Sequence, residues 1–229
     1  MTANPKHSAA SIVGTAHVVA ALGLVTAFGH VSTRETASSY RITGPGDLSE
    51  ADTQRTVVVE LLEDQLPDGA PPEAWLHTAI YRARPDVGAI VRAQPPSTFA
   101  AASVADELRP LHGQGAWVSA RVPVHPVPRL CRSAELATAA VETMGAETAM
   151  LLRANGAVCV ADSPGIAAAR MWLLSVVCDV WLRASAVGSP VELDATDIDV
   201  WRTAGEQLLP RLWRHLEGRS MDFASGVGR

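Results

Sequence analysis

The sequence predicts an α/β fold, in which helices flank a central mixed or antiparallel sheet within a single domain. Short β-branched or apolar runs alternate along the chain with longer segments of helical periodicity, and Gly- or Pro-containing turns separate them. The 229 residues are 48% hydrophobic and 19% charged. This composition is typical of a globular chain long enough to bury one sizeable core.

The N-terminal half of the chain supplies five of the predicted elements. In order, they are a helix over 9–27, strands over 39–43 and 56–61, a helix that begins at 73 and is closed by Pro85, and a strand over 87–91. The first helix has apolar residues at i, i+3 and i+4, and the strands are β-branched or alternating. The second helix follows Pro71-Pro72, and a proline with an acid just after it suits a first helical turn.

The C-terminal half supplies the remaining predicted elements. In order, they are a helix over 97–104, a strand over 116–124, a helix after 133, strands over 149–153 and 157–160, and helices over 163–187 and 195–216. Ser133 is a good N-cap, and Asn155-Gly156 is a sharp-turn dipeptide between the paired strands. Because no repeat, heptad run or low-complexity linker interrupts them, we expect one domain over 1–229.

Charge and cysteine content limit the possible partners and compartment. The net charge of −5 and the pI near 5.8 give no basic patch for nucleic acid. The three cysteines, Cys131, Cys159 and Cys178, lack the spacing of a disulfide framework or zinc knuckle, which favours a cytoplasmic location. Polar residues interrupt the uncharged run between Lys6 and Arg34, so we expect neither a signal peptide nor a membrane span.

The basic residues exclude one class of covalent mechanism. Eighteen of the 19 are arginine, and the single lysine is Lys6, near the N-terminus. A Schiff base needs a lysine held in a desolvated pocket, and chain ends are usually solvated. We therefore expect no lysine-based aldol chemistry and no pyridoxal phosphate. We also expect no thiol nucleophile, although the arginines flanking Cys131 should lower its pKa, because no histidine base adjoins it.

Three segments, in order and spacing, resemble the class II aldolase/adducin family. They are Phe-Gly-His-Val-Ser-Thr-Arg at 28–34 with Ile-Thr-Gly at 42–44, the run Glu-Ala-Trp-Leu-His-Thr-Ala-Ile-Tyr-Arg-Ala-Arg-Pro-Asp-Val-Gly-Ala-Ile-Val at 73–91, and Leu-Leu-Arg-Ala-Asn-Gly-Ala-Val at 151–158. The likeness covers roughly 9–187, which leaves 188–229 as a C-terminal helical extension. The resemblance implies a zinc- or manganese-type enzyme, usually a tetramer with an interface active site, and hence a small-molecule substrate and a homo-oligomer.

The chain departs from the family at all three positions that the resemblance assigns to metal-binding histidines. These positions hold Arg92, Gln94 and Asn155. Arginine is cationic and has no lone pair to donate, and amide oxygens are weak ligands for zinc. We therefore expect no metal and no other cofactor. The alternative is a displaced metal site formed by His30, His112 and His125.

A second departure concerns phosphate. Members of the family that use phosphorylated substrates carry a serine pair before the catalytic glutamate, where this chain has Pro71-Pro72. Proline offers neither a hydroxyl nor an N–H for a phosphate. The resemblance instead favours the branch of pyridine-dicarboxylate decarboxylases and related biosynthetic enzymes, which act on substrates without phosphate.

The resemblance and the residue chemistry together nominate the site residues. Glu73 matches the catalytic acid/base position, and we expect Trp75 to shield it. Arg92 is expected either to replace the metal as the binder of a carboxylate or enolate, or to pair with Glu73 and fill an inactive pocket. Further substrate-binding candidates are His30, Gln94, Asn155, Thr43 and Arg34, whereas His77 is expected to pack in the core.

These observations lead to two hypotheses about function. The first is a metal-independent, lyase-like enzyme acting on a small, non-phosphorylated, carboxylated or oxygenated substrate in secondary-metabolite biosynthesis. Its reaction is a decarboxylation, an aldol or retro-aldol cleavage, or an enolisation-driven cyclisation. The alternative is a non-catalytic descendant that binds a ligand or partner.

Overall fold

The computed structural model describes residues 8–225, with side chains described as far as Ser220, so Lys6 lies outside the described residues. The strands are β1 (His30–Arg34), β2 (Ser39–Thr43), β3 (Thr56–Glu60), β4 (Ala89–Ala93), β5 (Glu107–Leu108), β6 (Val122–His125), β7 (Ala149–Leu152) and β8 (Gly156–Ala161). The helices are α1 (Ala9–Ala21), α2 (Ala74–Ala83), α3 (Pro96–Val104), α4 (Gly113–Ala116), α5 (Ala134–Met144), α6 (Pro164–Val187) and α7 (Ala195–Ser225).

One eight-stranded sheet, in the order β3-β2-β1-β4-β8-β7-β6-β5, forms the centre of the fold. Neighbouring strands are antiparallel except β6 and β7, which are parallel. In this register, His30 of β1 lies opposite Arg92 of β4, and Arg92 lies opposite Val158 of β8. The predicted α/β fold with a mixed sheet is confirmed.

The two faces of the sheet are covered by different helices. Helices α1, α3, α6 and α7 share an apolar core with Val31 and Val91 of the sheet. Helices α2 and α5 form a second core with Ile90 and other sheet residues. Since successive side chains of a strand point to opposite faces, His30 and Arg92 point to the side of α2 and α5.

Helix α6 is, within the described residues, the helix whose length and composition would suit a membrane span. Its buried side chains, among them Leu173, Leu174 and Cys178, belong to the core that it shares with α1, α3 and α7. Packing in this core accounts for its apolar composition.

The first helix is shorter than the predicted span of 9–27, because α1 ends at Ala21. Gly23 follows with a φ of 68°, and the N–H of Leu24 donates to the carbonyl of Val19 at 3.2 Å. A glycine in the left-handed region with this hydrogen bond is a common helix terminator. Leu24 then returns to the core, so its apolar spacing indicated burial rather than helix.

The predicted strand over 116–124 is also shorter, because β6 begins at Val122. The preceding residues form α4, and the N–H of Gly115 donates to Nδ1 of His112 at 3.3 Å. Trp117 and Val118 are buried outside any strand. Their hydrophobicity therefore reflects contact with the core rather than sheet pairing.

The hairpin between β7 and β8 contains a glycine, Gly156, whose backbone conformation and close packing can be tested by substitution. Gly156 has a φ of 81°, and an added Cβ would overlap the carbonyl oxygen of Ala93 and lie 2.8 Å from Cγ of Gln94. We expect Gly156→Ala to lower the free energy of unfolding by about 2–4 kcal/mol, because strain and overlap add. Gly23 also has a positive φ but open space around its Cβ position, so Gly23→Ala should cost about 1 kcal/mol. Urea unfolding measures both, and equal losses would contradict the packing argument.

Candidate active site

The candidate site lies where β1 and β4 adjoin the start of α2. A cavity of about 510 Å³ is open there, in the size range of small-molecule sites. Its polar lining consists of His30, Asp47, Glu73, Arg92, Gln94 and Arg132. Its apolar lining includes Phe28, Pro45, Pro71, Pro72 and Leu130. The cavity therefore offers apolar walls with a few charged groups directed at one ligand.

Glu73 occupies the N-cap position of α2, directly after Pro71-Pro72. Its side chain makes no capping hydrogen bond, so the carboxylate faces the cavity instead of its own helix. Trp75 does not shield it, contrary to expectation, because Trp75 lines a separate groove between α2 and α5. The two residues are two positions apart, which places them roughly 200° apart around a helix.

Two side chains contact the Glu73 carboxylate. Nε of Arg132 donates to Oε1 at 2.8 Å, and Nε2 of His30 lies 3.8 Å from Oε2. Burial acts to raise the pKa of Glu73, but the hydrogen bond from Arg132 and the nearby charges outweigh it, so the net shift is downward. Glu73 is therefore ionised at neutral pH and can act first as a base.

His30 is the first residue of β1 rather than a residue of an exposed loop, and it is buried. Burial, reinforced by the charge of Arg92, lowers its pKa to about 4, although Glu73 opposes the shift. The ring is therefore neutral at pH 7. Its Nδ1 is buried without a hydrogen-bond partner within residues 8–225, whereas Nε2 faces Glu73.

Arg92 is buried at the end of β4, with 3% of its surface exposed. Its Nη2 donates to the backbone carbonyl of Asn155 at 3.1 Å and to the Asn155 side-chain oxygen. Nε2 of Gln94 also approaches that side-chain oxygen, at 3.4 Å. Burial lowers the pKa of Arg92 and the charge of Glu73 opposes this shift, but a guanidinium stays cationic in proteins.

The structure thus brings together Arg92, Gln94 and Asn155, the three positions that the resemblance assigns to metal ligands. They do not fit a divalent metal, because the guanidinium has no lone pair and would repel the ion. The Asn155 oxygens already accept hydrogen bonds from Arg92. Within the described residues, no group of three or more His, Cys, Asp or Glu side chains is arranged to hold a metal. The alternative metal site of His30, His112 and His125 is therefore not formed.

The expected pairing of Arg92 with Glu73 is not the arrangement observed. Glu73 pairs with Arg132, a residue that the sequence analysis did not select as a site residue. The only sequence signal was its position beside Cys131, just before the Ser133 cap. Cys131 is buried, and burial raises its thiol pKa against the opposing charge of Arg92, so the expected lowering was wrong.

Thr43 and Arg34 do not line the cavity and instead hydrogen-bond to the backbone of other elements. The Thr43 hydroxyl accepts a hydrogen bond from the N–H of Val31 at 3.2 Å, which ties β2 to β1. The Arg34 guanidinium donates to the carbonyls of Tyr81, Arg84 and Val87 and lies 4.7 Å from the Tyr81 ring centroid. In both residues the polar side-chain groups form hydrogen bonds with the backbone of this chain.

Behind His30 lies a buried chain of polar side chains. The His30 and His77 rings meet edge to face with centroids 6.3 Å apart. Nδ1 of His77 is 2.7 Å from the Ser32 hydroxyl, which is 2.9 Å from the Tyr81 hydroxyl. Burial holds the pKa of His77 well below its ordinary value. His77 therefore packs in the core as expected, and it also contacts a site residue.

Comparison with known proteins gives consistent matches. A family model described as Class II Aldolase and Adducin N-terminal domain matches residues 10–182. The 3,4-dihydroxyphthalate decarboxylase of Arthrobacter keyseri is 31% identical over 206 residues, covering 82% of this chain and 83% of that protein. The protein of the same name from Terrabacter sp. (strain DBF63) is 30% identical over 223 residues, covering 89% and 93%. The crystal structure of l-fuculose-1-phosphate aldolase from Thermus thermophilus matches with a TM-score of 0.68 and 27% identity, covering 76% of this chain and 92% of that one.

The burial of His30 predicts a pH dependence of stability with a defined sign. Its pKa is about 4 in the folded chain and 6.5 ordinarily, so between these values the unfolded chain binds more protons and stability falls as the pH drops. As the pH drops from 6.5 to 4, the free energy of unfolding should decrease less in His30→Asn than in wild type, by up to about 3 kcal/mol. His77 keeps most of its own contribution in both proteins, because burial is the largest cause of its lowered pKa. Urea unfolding at several pH values measures the free energy of unfolding of both proteins. The same dependence on pH in both would contradict the prediction.

Proposed function

We propose a function from one established premise, which is that the chain belongs to the class II aldolase and adducin family. Its decarboxylase relatives support an enzyme of lyase type. We propose that it removes CO₂ from a small hydroxylated aromatic acid such as 3,4-dihydroxyphthalate. The observation that carries the proposal is the cavity itself, in which an ionised Glu73 faces the guanidinium groups of Arg92 and Arg132.

The lining of the cavity suits such a substrate. An aromatic ring fits against proline, leucine and phenylalanine side chains, and carboxylate or phenolic oxygens fit against guanidinium groups. Pro71 and Pro72 offer a phosphate no hydroxyl and no N–H. Among the three reactions expected from the sequence, the cavity and the relatives together favour decarboxylation.

Glu73 moves the proton in the proposed mechanism. Its carboxylate takes the proton of the hydroxyl next to the reacting carboxylate and delivers it to the ring carbon that carries that carboxylate. The product of this transfer is a cyclohexadienone. The C–C bond to the carboxylate then breaks, its electron pair restores the aromatic ring and leaves a phenolate, and CO₂ departs. The phenolate takes up one proton from solvent, so overall one proton replaces one CO₂.

Arg92 stabilises the charge that develops on the phenolate oxygen when the C–C bond breaks. A preorganised cation in a site with little water stabilises such an oxyanion without reorganising during the reaction. This is the part that a divalent ion would play as a Lewis acid, and we propose that the reaction proceeds without one. His30, neutral and next to Glu73, orients the carboxylate, and Gln94 donates to a substrate oxygen. Asn155 holds Arg92 in place.

We retain three sequence-based predictions about context, namely a homo-oligomer, a cytoplasmic location and a role in secondary-metabolite biosynthesis. The helical segment beyond residue 187 is proposed to extend the same domain. Light scattering tests the first of these predictions directly, because a monomer would contradict it.

Replacing the proposed proton carrier tests the mechanism. Glu73→Gln keeps the shape but cannot carry the proton, so we expect kcat for CO₂ release from 3,4-dihydroxyphthalate to fall by about 100-fold or more. Glu147→Gln is the matched control, because Glu147 also accepts a hydrogen bond from an arginine, Arg121, at 3.1 Å but lies outside the cavity. Its activity should equal that of wild type. Full activity of Glu73→Gln would disprove the role, and substrate binding without any CO₂ release by wild type would favour the non-catalytic hypothesis.

Chelation tests the proposed metal independence. We expect dialysis against EDTA to leave kcat/KM unchanged, because Arg92 supplies the positive charge that the reaction requires. Elemental analysis of the purified protein should find zinc, manganese and iron well below one ion per chain. A stoichiometric metal whose removal abolishes CO₂ release would overturn the proposal.

A further inference from the structure

We propose that Arg132 determines which acids the cavity accepts, by binding a second carboxylate that takes no part in the reaction. The cavity would then prefer a dicarboxylate to the corresponding monocarboxylate. This inference rests on the proposed function for the identity of the reacting group. It can nevertheless be tested by binding alone.

Arg132 has donors to spare for a ligand. A guanidinium carries five N–H groups in a planar fork, and Arg132 uses Nε for its contact with Glu73. Nη1 and Nη2 have no hydrogen-bond partner within the described residues, and the residue lines the cavity. The side chain is 53% exposed, so a ligand can reach these two nitrogens. Their geometry suits a carboxylate bound through both oxygens.

The position of this guanidinium is fixed at both ends. At its base, the backbone N–H of Arg132 donates to the carbonyl of Leu130 at 2.8 Å. The next residue, Ser133, caps α5 by accepting from the N–H of Leu136 at 3.3 Å. At its tip, Nε is held 2.8 Å from Glu73. A carboxylate bound to Arg132 is therefore set at a defined place relative to the proton carrier.

The cavity has two guanidinium groups, one for each negative group of a dicarboxylate. Arg92 and Arg132 are close enough that Arg132 adds to the effect of burial on the pKa of Arg92. Glu73 is the carboxylate hydrogen-bonded to Arg132. The other carboxylate in the lining, Asp47, uses Oδ1 to accept from the N–H and the hydroxyl of Ser49, both at 2.8 Å. Each guanidinium can then take one anionic group, Arg92 at the reacting end and Arg132 at the other.

Binding of two matched acids tests the inference. The probes are phthalate, with two adjacent carboxylates, and benzoate, with one, and calorimetric titration measures both affinities. We expect wild type to bind phthalate about ten-fold or more tightly than benzoate, because the second carboxylate gains a charge-assisted pair. Arg132→Gln should lose this preference through weaker phthalate binding alone. Arg132→Lys, which keeps the charge but not the fork, should retain part of it.

Arg121→Gln is the matched control. Arg121 is also an arginine with about half of its side chain exposed, and it pairs with Glu107 and Glu147 away from the cavity. We expect this variant to keep the wild-type preference. The inference would be overturned if Arg132→Gln still preferred phthalate. It would also be overturned if this variant melted like wild type but lost affinity for both acids equally.

Measurement of CO₂ release separates this inference from the proposed function. If the preference depends on Arg132 but wild type releases no CO₂ from 3,4-dihydroxyphthalate, the inference stands and the proposed function fails. If CO₂ is released but the preference does not depend on Arg132, the proposed function stands and the inference fails.

Discussion

The site is organised around a buried positive charge whose hydrogen bonds within the described residues go to neutral oxygens. Arg92 donates to both oxygens of Asn155 instead of to a carboxylate. A buried charge without a directly bound counter-ion is costly, so its surroundings must compensate. The hairpin that carries Asn155 is held against β4, and Glu73 supplies negative charge across the cavity. A bound anion would complete this neutralisation, which is why the same arrangement suits acids.

The surroundings of Glu73 and His30, two titratable groups of the cavity, give them different charge states at neutral pH. Burial alone would push Glu73 toward its neutral form and does push His30 toward its neutral form. The arginines then act in opposite senses, since they favour an ionised carboxylate and disfavour an imidazolium. At neutral pH the cavity therefore holds a charged carboxylate beside an uncharged ring, and the two groups are suited to different chemical steps.

Local elements were predictable from the sequence where local chemistry decides them. The strand over 39–43 and the Ser133 cap agree with the structure, because alternation and capping involve only neighbouring residues. The meeting of Arg92, Gln94 and Asn155 came from the family resemblance, since their spacing alone cannot bring a strand end and a distant hairpin together. Arg132 was missed because only the packing of its loop against α2 decides that it faces Glu73. Trp75 was misplaced although helical periodicity already put it on the far side of α2 from Glu73.

The proline pair before α2 has a consequence for ligand affinity. Each proline ring fixes its own φ, and Pro72 also restricts Pro71 to extended conformations. The segment that presents Glu73 consequently has few alternative shapes, and it loses little entropy when a guest molecule arrives. Even a guest of about a dozen heavy atoms, which makes few contacts, then spends little of its interaction energy on ordering this segment.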